Sequence, residues 1–310
     1  MANATRPTPP RIPVHRMCGT MQAHQRLLER DPGFRIRLGD LEHATRARLA
    51  FAAVRRTAGP ITIPVVVHVV YNTDDENIPD SQILSQIAAL NRDYNALNDD
   101  KANTPACWRG LVTGADLKFV LATTDPAGQP TNGIERTQTS KTSFDVDDSV
   151  KAAATGGADT WQGAYLNLWV CSLGGGLLGY AQFPGGAGAT DGVVILNTAF
   201  GTEGTATAPF NLGRTCTHEV GHWLNLHHIW GDTSDCTGND FVDDTPNAQH
   251  PNYNKPTFPH ISCSNGPNGD MFMNYMDYVD DDTMVMFTAG QVARMQTALE
   301  EARTQFVPGA

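Results

Sequence analysis

The sequence predicts an α+β protein: a short twisted sheet with interspersed helices, then a loop-rich acidic region. Three observations point there. Residues 62–71 (TIPVVVHVVY) are a continuous run rich in β-branched side chains, as in a strand buried on both faces. Residues 82–97 carry Ile83, Leu84, Ile87, Leu90 and Tyr94 at helical spacing. Beyond Gly231 the chain turns acidic and loop-rich, until a last helical pattern near 289–304.

Taken in chain order, residues 1–56 form a basic arm with 11 Arg, no Lys and 4 acids, a net of +7, while residues 57–310 carry a net of −18. The two parts should attract. Leu27, Leu28, Phe34, Ile36, Leu38 and Leu41 punctuate the arm, so it is expected to pack rather than to trail as a nucleic-acid tail. After the strand at 62–71, Asp80 or Ser81 caps the helix at 82–97. Residues 117–123 (LKFVLAT), 166–172 (LNLWVCS), 177–183 (LLGYAQF) and 192–196 (GVVIL) read as four more strands. From Leu212 the pattern becomes a helix. A boundary near His228 separates an upper part, about 57–228, from a lower part, about 229–310. No stretch approaches 18 apolar residues, which argues against a membrane span. A total charge of −11 without a long basic run argues against nucleic acid as the main partner. The first ten residues are polar and Pro-rich with no apolar signal core, which leaves two readings: a cytosolic protein, or one whose signal has been removed.

The chemistry concentrates at His218-Glu219-Val220-Gly221-His222. Histidines four apart stand one above the other on a helix face, and their imidazoles can meet one Zn²⁺ at about 2.0–2.1 Å. Glu219 leans toward the same face, able to touch a metal-bound water but badly placed to ligate. Six residues past His222 stands His228. The span HEVGHWLNLHH departs from the longer H-E-x-x-H-x-x-G-x-x-H pattern only at Asn225, where Gly is usual. The chain must leave the helix there in a left-handed conformation, which Asn tolerates best after Gly. His227 competes as third ligand, but spacing favours His228; His227 is expected to be exposed or behind the ligands. Three neutral imidazoles leave the fourth position open, as catalytic zinc requires. Downstream, Met273-Asn274-Tyr275-Met276-Asp277-Tyr278 places a Met within an aromatic segment.

Together with GLLGYAQFP (176–184) and the acidic loop at 240–246, these pieces resemble the pappalysin family of metzincin zinc peptidases, from about residue 16 to the C-terminus. The resemblance implies a metzincin-type catalytic domain at 57–310 behind a prosegment at 1–56. It implies a secreted zinc endopeptidase that acts on protein or peptide substrates. One Zn²⁺ would sit on His218, His222 and His228, with Glu219 as general base and acid, Met276 as the turn Met and Tyr278 stabilising the oxyanion. Leu177, Gly179 and Ala181 would form the edge strand that pairs with extended substrate. Asp281, five residues past Met276, would line the pocket for the residue after the scissile bond and select Arg or Lys by charge.

Arg16-Met17-Cys18-Gly19-Thr20 resembles the family's cysteine switch, in which Cys18 fills the open zinc position and makes the prosegment an intramolecular inhibitor. Arg55-Arg56 offers an activation cleavage site to a basic-specific enzyme. Asp232, Asp235, Asp240, Asp243 and Asp244 crowd one short stretch, a costly arrangement without a hard cation. The resemblance places one or two Ca²⁺ there, at Asp240, Val242, Asp244 and Thr245. It also implies a Cys236–Cys263 disulfide, worth about 3–4 kcal/mol by loop entropy. Cys107, Cys171 and Cys216 are expected as buried thiols, with a Cys171–Cys216 bridge left open. The alternative is a calcium- or zinc-stabilised binding module without catalysis, against which the presence of both Glu219 and Tyr278 speaks.

Overall fold

The β-branched run becomes the central strand, β1 (Ile61–Tyr71), in a computed structural model that describes residues 13–50 and 59–307 of the chain. It is buried from Val65 to Val70: parallel strands flank it on both sides, and its two faces enter two separate apolar clusters, Val65, Val67 and Val69 in one and Val70 in the other. β2 (Leu117–Leu121) and then β3 (Ile134–Gln138) lie end to end along one side of β1, and β4 (Leu166–Cys171) along the other. β5 (Gly179–Ala181) pairs antiparallel with β6 (Val193–Leu196), which runs parallel to β4, so β5 is the edge of the sheet. The sheet has six strands where five were expected. The additional one, β3, reads IERTQ; a polar, partly exposed strand carries no apolar alternation. β5 is shorter than the expected 177–183, because its ladder with β6 covers only Gly179–Ala181.

Three helices pack behind and below this sheet. α3 (Asp80–Asp93) includes Asp80 in its first turn rather than as a cap, and it stops short of residue 97. Ala96 at φ +51° turns the chain there and returns the Leu97 N–H to the Arg92 carbonyl at 2.8 Å. α4 (Arg214–Trp223) is buried at every residue, between α3 and the strands β5 and β6. α5 (Ala289–Glu301) starts at a capping box: the Thr288 hydroxyl accepts from Gln291 N–H, and the Gln291 side chain accepts from Thr288 N–H. One apolar cluster joins the sheet, α4, the segment Met271–Met276 and α5, so the core runs continuously across the expected boundary near His228. β7 (Tyr253–Asn254) and β8 (Tyr278–Val279) form a small second sheet in the loop-rich part.

The arm does pack. Its apolar residues lie on α1 (Thr20–Arg30) and α2 (Pro32–Ala50), the latter begun by a proline at its first turn. α1 lies on β5 and α2 on α5. Arm-to-body ion pairs follow the charge division: Arg16–Asp281, Arg26–Asp148, and Arg48 with Glu300 and Glu301. One pair has the opposite sense, Glu42 of the arm with Arg294 of α5. Cys236 and Cys263 form the implied disulfide. Cys171 and Cys216 are free and buried, but Cys107 is exposed, contrary to expectation: it lies in a surface turn between two short 3₁₀ segments. Arg55 and Arg56 lie outside the described residues. No described helix is long and apolar enough to cross a membrane.

Thr288 holds the start of α5 and also donates to Asp244 at 2.6 Å. Thr288→Ala should therefore cost about 1–2 kcal/mol and lower the melting temperature by a few degrees. A circular-dichroism melt identical to the parent would remove this cap from the account.

Candidate active site

α4 begins at Gly213, whose φ of +79° admits the sharp entry. Arg214 ties its first turn to the main-chain oxygens of Asp281 and Met284, at 2.6 and 2.7 Å. Because the helix is wholly buried, His218 and His222 face each other inside the protein, not in solvent. Asn225 then takes φ +71°, the left-handed turn that the sequence required, and the chain swings back to bring His228 beside them.

The three Nε2 atoms lie 3.1–3.3 Å apart. Each Nδ1 is engaged elsewhere: His218 with the Tyr275 carbonyl at 2.7 Å, His222 with the Leu226 carbonyl at 2.7 Å, and His228 with Asp232 Oδ1 at 2.6 Å. Those oxygens accept, so each Nδ1 carries the hydrogen and each Nε2 presents a lone pair. Burial, and then the neighbouring imidazoles, hold His218 and His222 well below the usual histidine pKa. Three acceptors pointed at one spot repel unless a cation lies between them. Cys18 Sγ completes the group, and all four ligand atoms lie within 4.8 Å of one another. The cluster could hold a metal ion. His227 is half-buried, stacked on Phe183 with ring centroids 5.0 Å apart, and takes no part.

Glu219 is buried beside this cluster. Its Oε2 accepts from the Thr20 hydroxyl at 2.8 Å and the Cys18 thiol at 3.3 Å. Burial pushes its carboxyl up to about 7, against the pull of those two hydrogen bonds. Met276 lies under the helix: a Cβ on Gly221 would come within 2.5 Å of the Met276 sulfur, so glycine is what lets the turn approach. Asn274 and Gln291 clasp each other through both amides at 2.8 and 2.9 Å, fixing the Met276 turn to α5. The Tyr278 ring stands 5.0 Å from that of His228 and 5.7 Å from that of His218.

The arm crosses this site as an added strand. Cys18 pairs parallel with Gly179, through Gly19 N–H to the Gly179 carbonyl at 2.8 Å and Leu178 N–H to the Met17 carbonyl at 2.9 Å. Gly19 permits that closeness, since a Cβ there would meet Val146 at 2.6 Å. Of the expected edge residues, Gly179 and Ala181 lie in β5 and Leu177 just precedes it. The Ala181 N–H donates to Thr20 Oγ1 at 2.8 Å. At the other end, Arg16 is fully buried and donates to Asp281 Oδ1 at 2.6 Å, Thr215 Oγ1 at 3.0 Å and the Val279 carbonyl at 3.3 Å. Asp281 Oδ2 accepts from Leu212 N–H at 2.7 Å, so the aspartate is fixed beneath the Arg16 guanidinium.

Sequence reasoning did not assign roles to Arg16, Thr20 or Asp232. The first two stand in the Arg16–Thr20 segment it singled out, but nothing local says that one fills a pocket and the other meets Glu219. Asp232 was grouped with the cation-seeking acids; it holds His228 instead. The remaining acids divide. Asp240 is buried, with Oδ1 accepting from Val242 N–H at 3.1 Å and Oδ2 from the Thr245 hydroxyl at 2.6 Å. The Asp244 carboxylate turns to α5 and accepts from Thr288 Oγ1 and Gly290 N–H, at 2.6 and 2.9 Å.

Comparison with known proteins agrees with this geometry. Residues 155–300 match the family model described as pregnancy-associated plasma protein-A. An extracellular metalloprotease of Pyricularia oryzae is 32% identical over 297 residues, 92% of this chain and 89% of that protein. A promirolysin mutant of Tannerella forsythia superposes with a TM-score of 0.85 at 44% identity, over 94% of this chain and 97% of its own. Mature mirolysin of Tannerella forsythia, in complex with a cleaved peptide, does so with a TM-score of 0.79 at 49% identity, over 81% and 97%. Two imidazoles on one helix and a third returned by the bend beyond it, with a buried glutamate and a methionine turn on a metzincin fold, agree with those matches: the chain is a metallopeptidase and belongs to the pappalysin family.

Proposed function

We propose that this metallopeptidase is a latent, extracellular zinc endopeptidase that cuts peptide bonds preceding Arg or Lys. The observation that carries the reading is the convergence of three Nε2 lone pairs 3.1–3.3 Å apart. A tetrahedral centre with bonds of about 2.0–2.1 Å sets its ligand nitrogens roughly 3.3–3.4 Å apart, so His218, His222 and His228 fit zinc. Zinc held there polarises a peptide carbonyl and brings the pKa of water that it binds down to about 7.

The chain's own groups move the protons and hold the charge. Glu219, beside the cluster once Thr20 and Cys18 have left it, accepts a proton from the attacking water and returns it to the departing amide nitrogen. The Tyr278 hydroxyl, beside His218 and His228, donates to the developing oxyanion. Asp281, already paired with the Arg16 guanidinium, selects Arg or Lys after the scissile bond. Three arm residues keep this machinery idle: Cys18 in the fourth ligand position, Arg16 in the Asp281 pocket and Thr20 on Glu219. The promirolysin match supports this, since it spans 94% of the chain against 81% for mature mirolysin, a difference close in length to the described part of the arm, residues 13–50. Cleavage at Arg55-Arg56 would release the arm. The relatives named extracellular metalloproteases support the location.

Calcium at the 240–246 loop belongs to the same reading. Burial pushes the Asp240 carboxyl from 3.8 up to about 7, with Thr245 and Val242 its partners. Ca²⁺ beside Asp240, the Val242 carbonyl and Thr245 would hold that carboxylate ionised. The Asp244 side chain caps α5, so its part would fall to the main chain.

After activation, the enzyme should cut a peptide library before Arg and Lys, whereas Glu219→Ala should lose at least about 100-fold in kcat/KM yet retain one zinc per chain by metal analysis. An active Glu219→Ala enzyme refutes the base assignment. Cys18→Ala should shorten the latent phase, followed as the lag before peptide hydrolysis; an unchanged lag removes the thiol from latency. The pH dependence has a definite sign. A carboxyl whose pKa is raised on folding stabilises below its ordinary value, and that stability is lost as pH rises through about 7. With zinc constant, added calcium should therefore raise the melting temperature more at pH 8 than at pH 5. Equal shifts, or none, would remove Asp240 as a calcium ligand.

A further inference from the structure

Glu42 is the acid that reverses the charge sense between arm and body. Its carboxylate meets Arg294 of α5 through both guanidinium ends, Nη1 to Oε2 at 3.0 Å and Nη2 to Oε1, and accepts the Asn225 amide at 3.2 Å. Arg294 is fully buried, and among the described residues Glu42 is its only ion-pair partner. The guanidinium otherwise donates to the Asn225 carbonyl, at 3.1 and 3.2 Å, and lies 5.8 Å from the Phe241 ring. When the arm leaves, two guanidinium arms and one amide are left converging on a point that held a carboxylate. Such a planar, bidentate donor set is suited to another carboxylate.

The direction of the arm says what could arrive. It runs parallel to β5, from Arg16 on Asp281, past Cys18 and Thr20, to His24 against Phe183 with ring centroids 5.0 Å apart. Phe183 stacks on His227, whose ring is 5.3 Å from that of Phe241. Arg294 thus lies at the end of the cleft opposite Asp281. If Asp281 receives the residue after the scissile bond, residues before that bond lie toward Phe183, His227 and Arg294. This step rests on the proposed function.

We propose that Arg294, with the Asn225 amide, forms an anion subsite for an Asp or Glu side chain of the substrate on the N-terminal side of the scissile bond, and that Glu42 occupies it in the latent chain. The preferred substrate is then an extended segment with an acid upstream and a basic residue directly after the cut.

The test uses the enzyme activated from the full chain by release of the arm, and quenched fluorescent peptides with Arg after the scissile bond, in which Glu, Gln or Lys is placed in turn at the second to fifth positions before it. At one position Glu should exceed Gln by about tenfold in kcat/KM, with Lys lowest, and the advantage should shrink as salt rises. In Arg294→Gln the Glu-to-Gln ratio should fall to about one whatever the absolute rates; a merely structural arginine would lower both peptides alike and leave the ratio. Equal cleavage of Glu and Gln peptides at every position by the parent enzyme overturns the subsite while leaving the peptidase reading intact. No cleavage of any peptide overturns both.

Discussion

Three neutral imidazoles that share one buried spot are the constraint on which the rest depends. Their lone pairs repel, and the fold holds them together only because every other nitrogen is already committed to an oxygen. Those oxygens come from three places: the Met276 turn, the bend after α4 and Asp232. The site is therefore a property of the turns packed around α4 as much as of the helix itself. Gly221 belongs to the same constraint, since any side chain there would displace the methionine that supports the histidines from below. A metal drawn into this arrangement satisfies what hydrogen bonds cannot.

The arm exploits the same geometry from the opposite side. A strand added to an exposed edge satisfies backbone donors and acceptors that would otherwise face the cleft. That pairing sets the register. Given Cys18 opposite Gly179, Arg16 and Thr20 fall two residues to either side, over Asp281 and Glu219. The helices that follow carry charges to the body at widely separated points, so the arm is held as a unit along the cleft and on α5.

Much of the fold was legible where one residue type leaves a periodic trace. β1 declared itself by β-branched density, α3 and α5 by apolar spacing, and α4 by its histidines. β3 was illegible because a partly exposed strand of charged and polar residues has no trace to leave. The end of α3 was misplaced because a single backbone angle, at Ala96, decided it, and the ends of β5 because its ladder with β6 covers only Gly179–Ala181. The acidic stretch hides its divisions for a different reason: carboxylates look alike in sequence, yet Asp232 serves a histidine, Asp244 a helix end and Asp240 its own loop.

By itself the sequence determined which side chains can share a metal, since a helix of fixed pitch brings residues four apart together and Asn225 tolerates the left-handed turn that returns the third. It also determined that the arm and the body attract. Only the tertiary structure decided what each arm residue touches, because that depends on the register of an added strand against an edge more than 150 residues away in the chain. It decided equally that Arg294 meets Glu42, a contact no local pattern encodes, since it joins two helices whose paired residues stand 252 positions apart in the chain.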